Sequence, residues 1–314
     1  MSVLQLLARI AVAAGLTGYI LWKSHPREVL DAAAGVDWRP IAVAILLVVL
    51  DRMLMAYRAV VLLCTVDPAV RPPLSAVMRI FFVSTFLGTF LPASVGGDGV
   101  RAYSLSKLNV RGSDAVASVF MDRMLGVASV FLMAVVGLLL ARDLARNATI
   151  LTALGAAAGV CIVTLLLVFS RTAETRAAAL IAYFPGVIKN AGHQILQAIG
   201  RYATFHGKLA NVLACSVLVQ ALRILQAYCL GLGLGLSLPL TTYMAFIPLI
   251  LLVMLLPITF NGIGTSQLAF DWFFARHAGV PAASAFTLSV LFIALGIVGN
   301  LPGGFLYAFG RGRQ

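Results

Sequence analysis

Aspartate and arginine residues interrupt several otherwise apolar segments of this 314-residue sequence. The residues concerned are Asp51, Arg52, Arg58, Asp98, Arg101, Asp122, Arg123 and Arg223. A charge at bilayer depth costs at least ~2.5 kcal/mol on insertion scales, so it normally faces a cavity or a partner of opposite charge. Guanidinium groups bind phosphate through two parallel hydrogen bonds. The pattern therefore fits an anion-binding path between helices, with mutual ion pairing as the structural alternative.

The two interpretations carry different weight along the chain. For Asp122, Arg123 and Arg223 the pattern leaves both open. The consecutive pair Asp51-Arg52 stands in a long apolar run and favours structural pairing. Arg58 shares a helical face with Asp51, and Arg52 lies on a neighbouring face. Arg58 is also close to a helix end, where its side chain can snorkel to the interface.

Residues 74–108 form the first of two broken segments, an apolar run that ends in Leu-Pro and is followed by glycines. The break reads Leu91-Pro92-Ala93-Ser94-Val95-Gly96-Gly97-Asp98-Gly99-Val100-Arg101. Proline ends a helix and paired glycines let the chain turn, so a returning half-helix is expected after them. Its free N–H groups attract phosphate or carboxylate, and we expect Gly97, Asp98, Gly99 and Arg101 to bind a headgroup. The alternative is that Asp98 caps the helix and Arg101 is a topology charge at the interface.

The second broken segment, residues 241–277, repeats this pattern. Its break reads Leu256-Pro257-Ile258-Thr259-Phe260-Asn261-Gly262-Ile263-Gly264-Thr265-Ser266. The Leu-Pro pair, a hydroxyl residue two positions after the proline, and glycines five and seven after it coincide at a constant offset of 165. Four shared features indicate an internal repeat. The neutral side chains predict weaker charge selectivity here, and the expected substrate contacts are Asn261, Gly262, Gly264, Thr265 and Ser266.

Matching breaks in two halves of a membrane protein point to a transporter's binding site. Non-helical backbone at membrane depth must be surrounded by protein or reached by water. An odd number of crossings between the copies inverts the second one, so the two hairpins should enter from opposite faces. We therefore predict a single transmembrane domain over 1–314, with inverted repeats at about 40–140 and 209–309 linked by 148–207.

Composition places these segments in a membrane. Hydrophobic residues make up 61% of the chain and charged residues 11%, with a mean hydropathy of +1.00, whereas soluble domains carry roughly 25% charged residues. The predicted fold class is an all-α polytopic membrane protein with about six full spans besides two inverted re-entrant helical hairpins. The spans are expected at 4–22, 40–64, 113–140, 148–169, 209–232 and 283–309. Basic and apolar residues interleaved near 172–206 predict interfacial helices, with a plain loop as the alternative.

Composition also argues against several classes of protein. No polar stretch is long enough for a soluble catalytic domain. The net charge of +12 is scattered along the chain rather than massed on one face, so no nucleic acid partner is expected. Four cysteines and four histidines are dispersed, and we expect no disulfide framework, metal site, cofactor or catalytic cluster. Gly155 with Gly159, and Gly299 with Gly303, indicate close helix packing, either internal or between subunits of a homo-oligomer.

Lys and Arg residues near the segment ends predict the orientation. With the N-terminus inside, twelve basic residues fall on the cytoplasmic side and six on the outer side. We therefore expect both termini in the cytoplasm, with the first broken segment entering from the cytoplasmic face and the second from the outer face. Residues 4–22 are expected to be a retained first helix, and the protein to reside in the bacterial cytoplasmic (inner) membrane.

From Pro92 to Arg101 the chain resembles the transmembrane (flippase-like) family of lysylphosphatidylglycerol synthase, and the resemblance extends over nearly the whole length. The matching elements are Tyr57-Arg58 with Leu62-Leu63, Leu91-Pro92…Gly97-Asp98-Gly99-x-Arg101, Asp122-Arg123 and Pro257…Asn261-Gly262-Ile263-Gly264. The resemblance implies movement of a lipid between leaflets, aminoacylated phosphatidylglycerol in the type case, by a bundle of helices and re-entrant hairpins. Two features depart from the family pattern. Ser266-Gln267 replace a usual Arg-Glu pair, and the sequence ends at Gln314 without an aminoacyl-transfer domain, so a stand-alone member is expected.

Three functions are compatible with these residues. The favoured one is a lipid flippase or transporter, not driven by ATP because no Walker motif is present, that moves an anionic or phosphate-bearing lipid through a polar cavity. The second is a membrane-embedded enzyme of lipid or glycolipid metabolism, which usually needs paired acids or a metal cluster. The third is a non-catalytic scaffold for a lipid-synthesis complex, which predicts a closed bundle with no cavity reaching either leaflet.

Overall fold

The structure, a computed structural model, describes residues 18–19, 21–22, 26–66, 72–90, 95–108, 110–140, 148–181, 183, 186–254 and 262–309. These residues form helices and short connections, with no strand among them. The α-helices are α1 Pro26–Ala34, α2 Trp38–Val66, α3 Leu74–Phe90, α4 Val95–Ser106, α5 Gly112–Leu140, α6 Ala148–Phe169, α7 Arg171–Ile181, α8 Gly186–Arg201, α9 His206–Gly233, α10 Leu240–Met254, α11 Thr265–Phe270 and α12 Ala282–Phe309. A 3₁₀ turn at Tyr202–Thr204 precedes α9, and a π-helix at Asp271–His277 continues α11.

Within the described part of the chain, four helices are long and apolar enough to cross a membrane. They are α2, α5, α9 and α12, each with 28 or 29 residues in the span. At 1.5 Å per residue each reaches about 42 Å, which exceeds the ~30 Å hydrocarbon core. These spans match four of the six predicted ones, and the protein is an integral membrane protein.

The other two predicted spans have different outcomes. Residues 148–169 form α6, whose apolar part at Leu154–Leu166 is shorter than a full span. The predicted span at 4–22 lies outside the described residues except for 18–19 and 21–22. The count of six full spans therefore stays a prediction, as do the re-entrant hairpins and the division into inverted halves.

Small residues allow the helices to approach closely inside the bundle. A Cβ atom on Gly303 would stand 2.0 Å from the carbonyl oxygen of Phe82, and one on Gly299 would stand 2.9 Å from a methyl carbon of Val48. Helix α12 thus packs backbone to backbone against α3 and tightly against α2. Residues 155 and 159 of α6 have no neighbour within 4 Å of such an atom. The small-residue pair in α12 therefore packs inside the subunit.

The helices α3 and α10, both shorter than a membrane span, start beside opposite ends of α5. Val77, near the start of α3, packs with Ala115 and Val119 near the start of α5. A Cβ atom on Gly137, near the end of α5, would stand 2.7 Å from the carbonyl oxygen of Ala245 in the first half of α10. Because α5 crosses the bundle, α3 and α10 run inward from opposite ends.

The connections that follow these two short helices lie outside the described residues: 91–94 after α3, and 255–261 after α10. Helix α4 returns along α3, since a Cβ atom on Gly97 would meet the Ser84 carbonyl oxygen at 2.8 Å and Gly88 Cα at 2.9 Å. The first broken segment is therefore a closely packed pair of short helices.

The predicted interfacial region near 172–206 folds as α7, α8 and the following 3₁₀ turn. Tyr202 is fully buried against α2 and α5 and donates a hydrogen bond to the Leu62 carbonyl oxygen at 3.0 Å. Burial, and next the nearby Asp114 carboxylate, raise the pKa of the Tyr202 phenol well above its ordinary value. Arg201 forms an ion pair with the same carboxylate. These contacts fix α8 to the end of the bundle where α2 ends and α5 begins.

Candidate anion site

A cavity of about 390 Å³ lies between the spanning helices and the two short helices that run inward. Eight of the described residues that line it are charged: Arg52, Arg58, Arg101, Arg123, Arg223, Asp51, Asp98 and Asp122. Five guanidinium groups and three carboxylates give this lining a formal net charge of +2. The side chains come from α2, α4, α5 and α9, so the tertiary fold assembles the site.

One group of charges, the outer cluster, consists of Arg58, Asp98, Arg101, Asp122 and Arg123. The Asp122 carboxylate lies between two arginines, at 2.7 Å from Nη2 of Arg58 and 3.2 Å from Nη1 of Arg101. The Asp98 carboxylate accepts from Nε of Arg123 at 2.5 Å and from its Nη2 at 3.0 Å. The cluster therefore ties α2, α4 and α5 together by ion pairs that each join two helices.

Arg101 is held inside the bundle. Its Nε donates to Ser84 Oγ at 3.5 Å, and its guanidinium carbon stands 4.6 Å above the centre of the Phe81 ring. A second nitrogen lies 3.9 Å from Asp98. With 7% of its side chain exposed, Arg101 does not reach an interface. This placement weighs against the alternative in which it serves as a topology charge.

Exposure falls from one side of the outer cluster to the other. The Arg123 side chain is 48% exposed and Asp98 is 14% exposed, whereas Arg58 is 3% exposed. The pair formed by Arg123 and Asp98 therefore stands at the mouth of the site.

A second group of charges, the inner cluster, consists of Asp51, Arg52 and Arg223. It lies nearer the start of α2 than Arg58 does, and it joins α2 to α9. Asp51 pairs with Nη1 of Arg52 at 3.1 Å and lies 3.6 Å from Nε of Arg223. Arg223 contacts Gln220 Oε1 at 3.5 Å, and the Gln220 amide donates to Ser129 Oγ of α5 at 3.1 Å. Asp51 and Arg52 make the ion pair that their positions favour, and both also line the cavity.

Comparison with protein families identifies the chain. A family model described as "Lysylphosphatidylglycerol synthase TM region" matches residues 6–303. The chain belongs to this family. The match covers nearly the whole length. Comparison with curated proteins and with solved structures finds no match.

The second broken segment of this family member is arranged differently from the first. Leu251 and Met254, at the end of α10, line the cavity. Gly262, Gly264, Thr265 and Ser266 are not among the lining residues, and Asn261 lies outside the described residues. Gly99, also predicted to contact substrate, is absent from the lining, whereas its neighbour at 97 is present. The structure thus brings together Gly97, Asp98, Arg101, Asp122, Arg123 and Arg223 out of the predicted site.

Ser266 and Gln267, which follow the glycines of the second broken segment, bond to each other. The Gln267 side-chain oxygen accepts from the Gly264 backbone N–H at 2.5 Å and from Ser266 Oγ at 2.9 Å. Ser266 and Gln267 are buried. Gly262 and Gly264 have φ values of 76° and 89°, a region that glycine adopts without the Cβ penalty. Here the polar groups stabilise the turn that starts α11.

The sequence did not lead us to place Arg58 or Asn300 at the site. Arg58 is a buried partner of Asp122, 64 residues away, rather than a snorkelling residue. Asn300 of α12 lines the cavity and donates to Thr89 Oγ1 of α3 at 2.9 Å. A lone amide in a long apolar helix was the available signal for Asn300. For Arg58, no local pattern identifies the distant partner.

Proposed function

We propose that this protein moves an anionic, phosphate-bearing lipid between the two leaflets of the membrane. The headgroup would cross through the cavity while the acyl chains stay among the lipids. The observation that carries this proposal is the concentration of arginines around one cavity between membrane-spanning helices. Guanidinium groups arranged in this way suit a phosphate, which accepts charge-assisted hydrogen bonds.

The depth of the charges supports a route across the membrane rather than a site at its surface. Asp51 and Arg52 occupy the middle of α2, and Gln220 occupies the middle of α9. At 1.5 Å per residue, these groups lie about 20 Å from either end of their helices. Charged residues at such depth normally face a substrate pathway or a partner. In this protein Asp51 and Arg52 pair with each other and also form part of the cavity wall, which supports such a pathway.

The two short helices support the proposed pair of re-entrant hairpins. The last two turns of α3 line the cavity with Thr85, Gly88 and Thr89, and the end of α10 lines it with Leu251 and Met254. Since α3 and α10 start at opposite ends of α5, two arms that meet near the middle of the bundle fit this arrangement. Barriers built in this way could open alternately on the two sides.

We infer that phosphate is captured by exchange at the mouth of the cavity. A headgroup phosphate would replace the Asp98 carboxylate on Arg123, and then make contact with Arg101, whose nearest carboxylate is Asp122. Exchange of one anion for another keeps the Arg123 guanidinium paired. The displaced Asp98 carboxylate stays beside Arg101, which lies 3.9 Å away, so neither charge is left bare at membrane depth. We expect the Asp98 carboxylate to occupy, in the absence of substrate, the position on Arg123 that the headgroup phosphate takes.

The cavity also bears on the other two hypotheses. A scaffold predicts a closed bundle with no cavity reaching either leaflet, and the half-exposed Arg123 in the cavity lining favours an accessible cavity over that arrangement. An enzyme that acts on lipid phosphates through a metal needs carboxylates grouped around the ion. The carboxylates of Asp51, Asp98 and Asp122 instead each pair with arginines, which supports a binding role. We therefore propose a transporter that carries out no bond chemistry.

We propose the bacterial cytoplasmic membrane as the location, with both termini in the cytoplasm. In that orientation the end of α2 and the start of α5 face the cytoplasm. The outer cluster, which is named for its exposed side chains and not for the outer face of the membrane, is then nearer the cytoplasm than the inner cluster. This follows because Arg58 comes after Arg52 along α2. Anionic headgroups of the cytoplasmic leaflet would meet the mouth of the cavity first.

The experiment is lipid transport in reconstituted vesicles that contain fluorescent phosphatidylglycerol. We expect Arg101→Gln to slow transport at least about tenfold, because a hydrogen bond to a charged group contributes about 1.5–3 kcal/mol. Asp98→Asn should change the transport rate, because Arg123 then lacks the carboxylate that phosphate replaces. Arg176→Gln on α7 is the matched control, since Arg176 is exposed and does not line the cavity. If the folded Arg101 and Asp98 variants transport at the wild-type rate, the proposed site is wrong.

A further inference from the structure

The inner cluster contains strong hydrogen-bond donors that meet a weak acceptor. Nη1 of Arg52 and Nη2 of Arg223 both donate to the sulfur atom of Met55, at 3.4 Å and 3.6 Å. A thioether sulfur accepts hydrogen bonds only weakly, whereas guanidinium groups form their strongest hydrogen bonds with anions. Two guanidinium groups from different helices therefore converge on an atom that satisfies neither of them fully.

Two further donors of the cavity lining have no hydrogen-bond partner among the described residues. They are Nε of Arg52 and Nε2 of Gln226. Gln226 is 4% exposed, and polar groups buried to this degree are nearly always paired in folded proteins. Gln226 follows Arg223 by three residues, so the two side chains are neighbours on one face of α9. This face therefore presents an unpaired amide donor beside the guanidinium group.

The inner cluster also has a surplus of positive charge. Its two guanidinium groups and one carboxylate give a formal charge of +1, because Asp51 alone faces Arg52 at 3.1 Å and Arg223 at 3.6 Å. The other two carboxylates of the described lining, those of Asp98 and Asp122, pair with arginines of the outer cluster. An unbalanced charge near the middle of spanning helices is costly. One negative charge on a ligand would balance it.

The charge and the arrangement of the donors favour a small monovalent anion. A divalent phosphate would exceed the single surplus charge, and it would be repelled more strongly by the Asp51 carboxylate. Taking a doubly charged ion out of water also costs more than taking out a singly charged one. A halide ion accepts hydrogen bonds from any direction, which suits donors that come from both α2 and α9.

We propose that the inner cluster, together with Gln226, is a binding site for a monovalent inorganic anion of the size of chloride. The site is separate from the phosphate site at the mouth of the cavity. Arg52 and Arg58 are six residues apart on α2, which corresponds to about 9 Å along the helix. The bound anion neutralises the interior of the bundle at the depth where a bare charge is most costly. This inference goes beyond the proposed function and does not depend on it.

The test is the thermal stability of the purified full-length protein in detergent, in sodium chloride, sodium bromide or sodium gluconate of equal ionic strength. A ligand that binds only the folded state raises the melting temperature. We expect chloride and bromide to raise it by about 2–4 °C relative to the bulky gluconate anion. Sodium phosphate is tested on Arg101→Gln, in which the outer site is impaired, and should give no such rise.

Variants assign the effect to the inner cluster. Gln226→Met keeps the side-chain length and removes the unpaired donor, so the chloride concentration for half of the rise should increase about tenfold. Arg223→Gln removes the surplus charge and should abolish the rise. Arg101→Gln changes the outer cluster and should keep the wild-type response to chloride. Gln197→Met on α8 is the matched control, because Gln197 is exposed and does not line the cavity.

Crystals grown in sodium bromide locate the ion, because bromide gives an anomalous signal. We expect a peak within hydrogen-bond reach of Arg52 and Gln226, and its absence from the cavity would overturn the proposal. The proposal is also wrong if folded Gln226→Met and Arg223→Gln respond to chloride as the wild type does, or if phosphate stabilises Arg101→Gln as much as chloride does. These results leave lipid transport untouched, since that function is tested by Arg101→Gln in vesicles.

Discussion

The two broken segments share a sequence pattern, yet the structure gives them different surroundings. The first segment contributes Asp98 and Arg101 to the cavity, and both charges pair with residues of α5. Among its described residues, the second contributes two apolar side chains, those of Leu251 and Met254. Its polar residue Gln267 accepts hydrogen bonds within the turn that starts α11. A repeated sequence pattern therefore does not imply repeated chemistry.

The second segment is embedded in aromatic side chains. Phe270 stacks on Phe274 with ring centres 5.5 Å apart, and Phe274 also packs against Tyr243 and Phe246. Aromatic pairs of this kind stabilise a packed interior. By contrast, the first segment has a half-exposed arginine, Arg123, beside it. We expect the first segment to bind and release the substrate, and the second to hold the bundle in shape.

The largest expected effect is that of Asp122→Asn in the outer cluster. The change leaves the buried Arg58 and Arg101 without their shared carboxylate. Removing one partner of a buried ion pair costs about 3–5 kcal/mol, so the melting temperature in detergent should fall strongly. The matched control is Asp37→Asn, because Asp37 is exposed and such surface changes stay within about 0.5 kcal/mol. Equal melting temperatures for the two variants would show that the outer cluster is not a buried ionic core.

The next effect concerns the packing of the first broken segment. Gly97→Ala places a Cβ atom within 3 Å of backbone atoms of Ser84 and Gly88, so α4 must move away from α3. Overpacking of this kind costs about 1–3 kcal/mol, and it also shifts Asp98 and Arg101. We expect both stability and transport per folded molecule to fall. Gly155→Ala is the control, since that glycine has open space around it. Full transport by Gly97→Ala would contradict a rigid first segment.

In the second segment, Gln267→Met should affect stability alone. The variant leaves the Gly264 N–H and the Ser266 hydroxyl without their acceptor, and a buried unsatisfied group costs about 1–3 kcal/mol. Transport per folded molecule in vesicles should stay at the wild-type rate, unlike that of Arg101→Gln. A selective loss of transport in Gln267→Met, at normal stability, would make the second segment a binding arm and remove the contrast.

The smallest expected effect is that of Tyr202→Phe at the end of the bundle. Loss of the hydrogen bond to Leu62 should lower the free energy of unfolding by about 1 kcal/mol, with no change in transport. The pKa of Tyr202 is raised in the folded state, so its stabilising effect is complete below the unfolded value of about 10 and declines as the pH rises above it. Unfolding measured from pH 8 to 11 should show this decline in the wild type and a smaller one in the variant.

The spanning helices could be predicted closely, because an apolar run of membrane length has few alternatives. The predicted spans at 40–64 and 113–140 became Trp38–Val66 and Gly112–Leu140. The charged positions at 98, 101, 122 and 123 could also be selected, since charges inside apolar segments are costly. Their pairing could not be predicted. Arg58 meets Asp122 through the crossing of α2 and α5, and nothing in the local sequence of either residue indicates the other.

The second segment shows a further limit of sequence reasoning. Its residues Thr265 and Ser266 resemble hydrogen-bonding ligands, but short-range bonds within one turn satisfy polar groups as well as a substrate does. The sequence around 264–267 does not distinguish these cases, because both need the same residue types. The structure places Ser266 in the protein interior beside Gln267. Asn300 is the opposite case, because it does line the cavity. One amide in an apolar helix does not indicate in advance which group it faces.

The most direct test of the central claim is an experimental density map of the protein in nanodiscs that contain phosphatidylglycerol. We predict a phosphate in the cavity, about 3 Å from the guanidinium nitrogens of Arg101 and Arg123, with Asp98 displaced from Arg123. The same map for Arg101→Gln should lack it. A map in which every lipid phosphate lies at the bilayer surfaces, while Asp98 keeps both contacts with Arg123, would contradict the account.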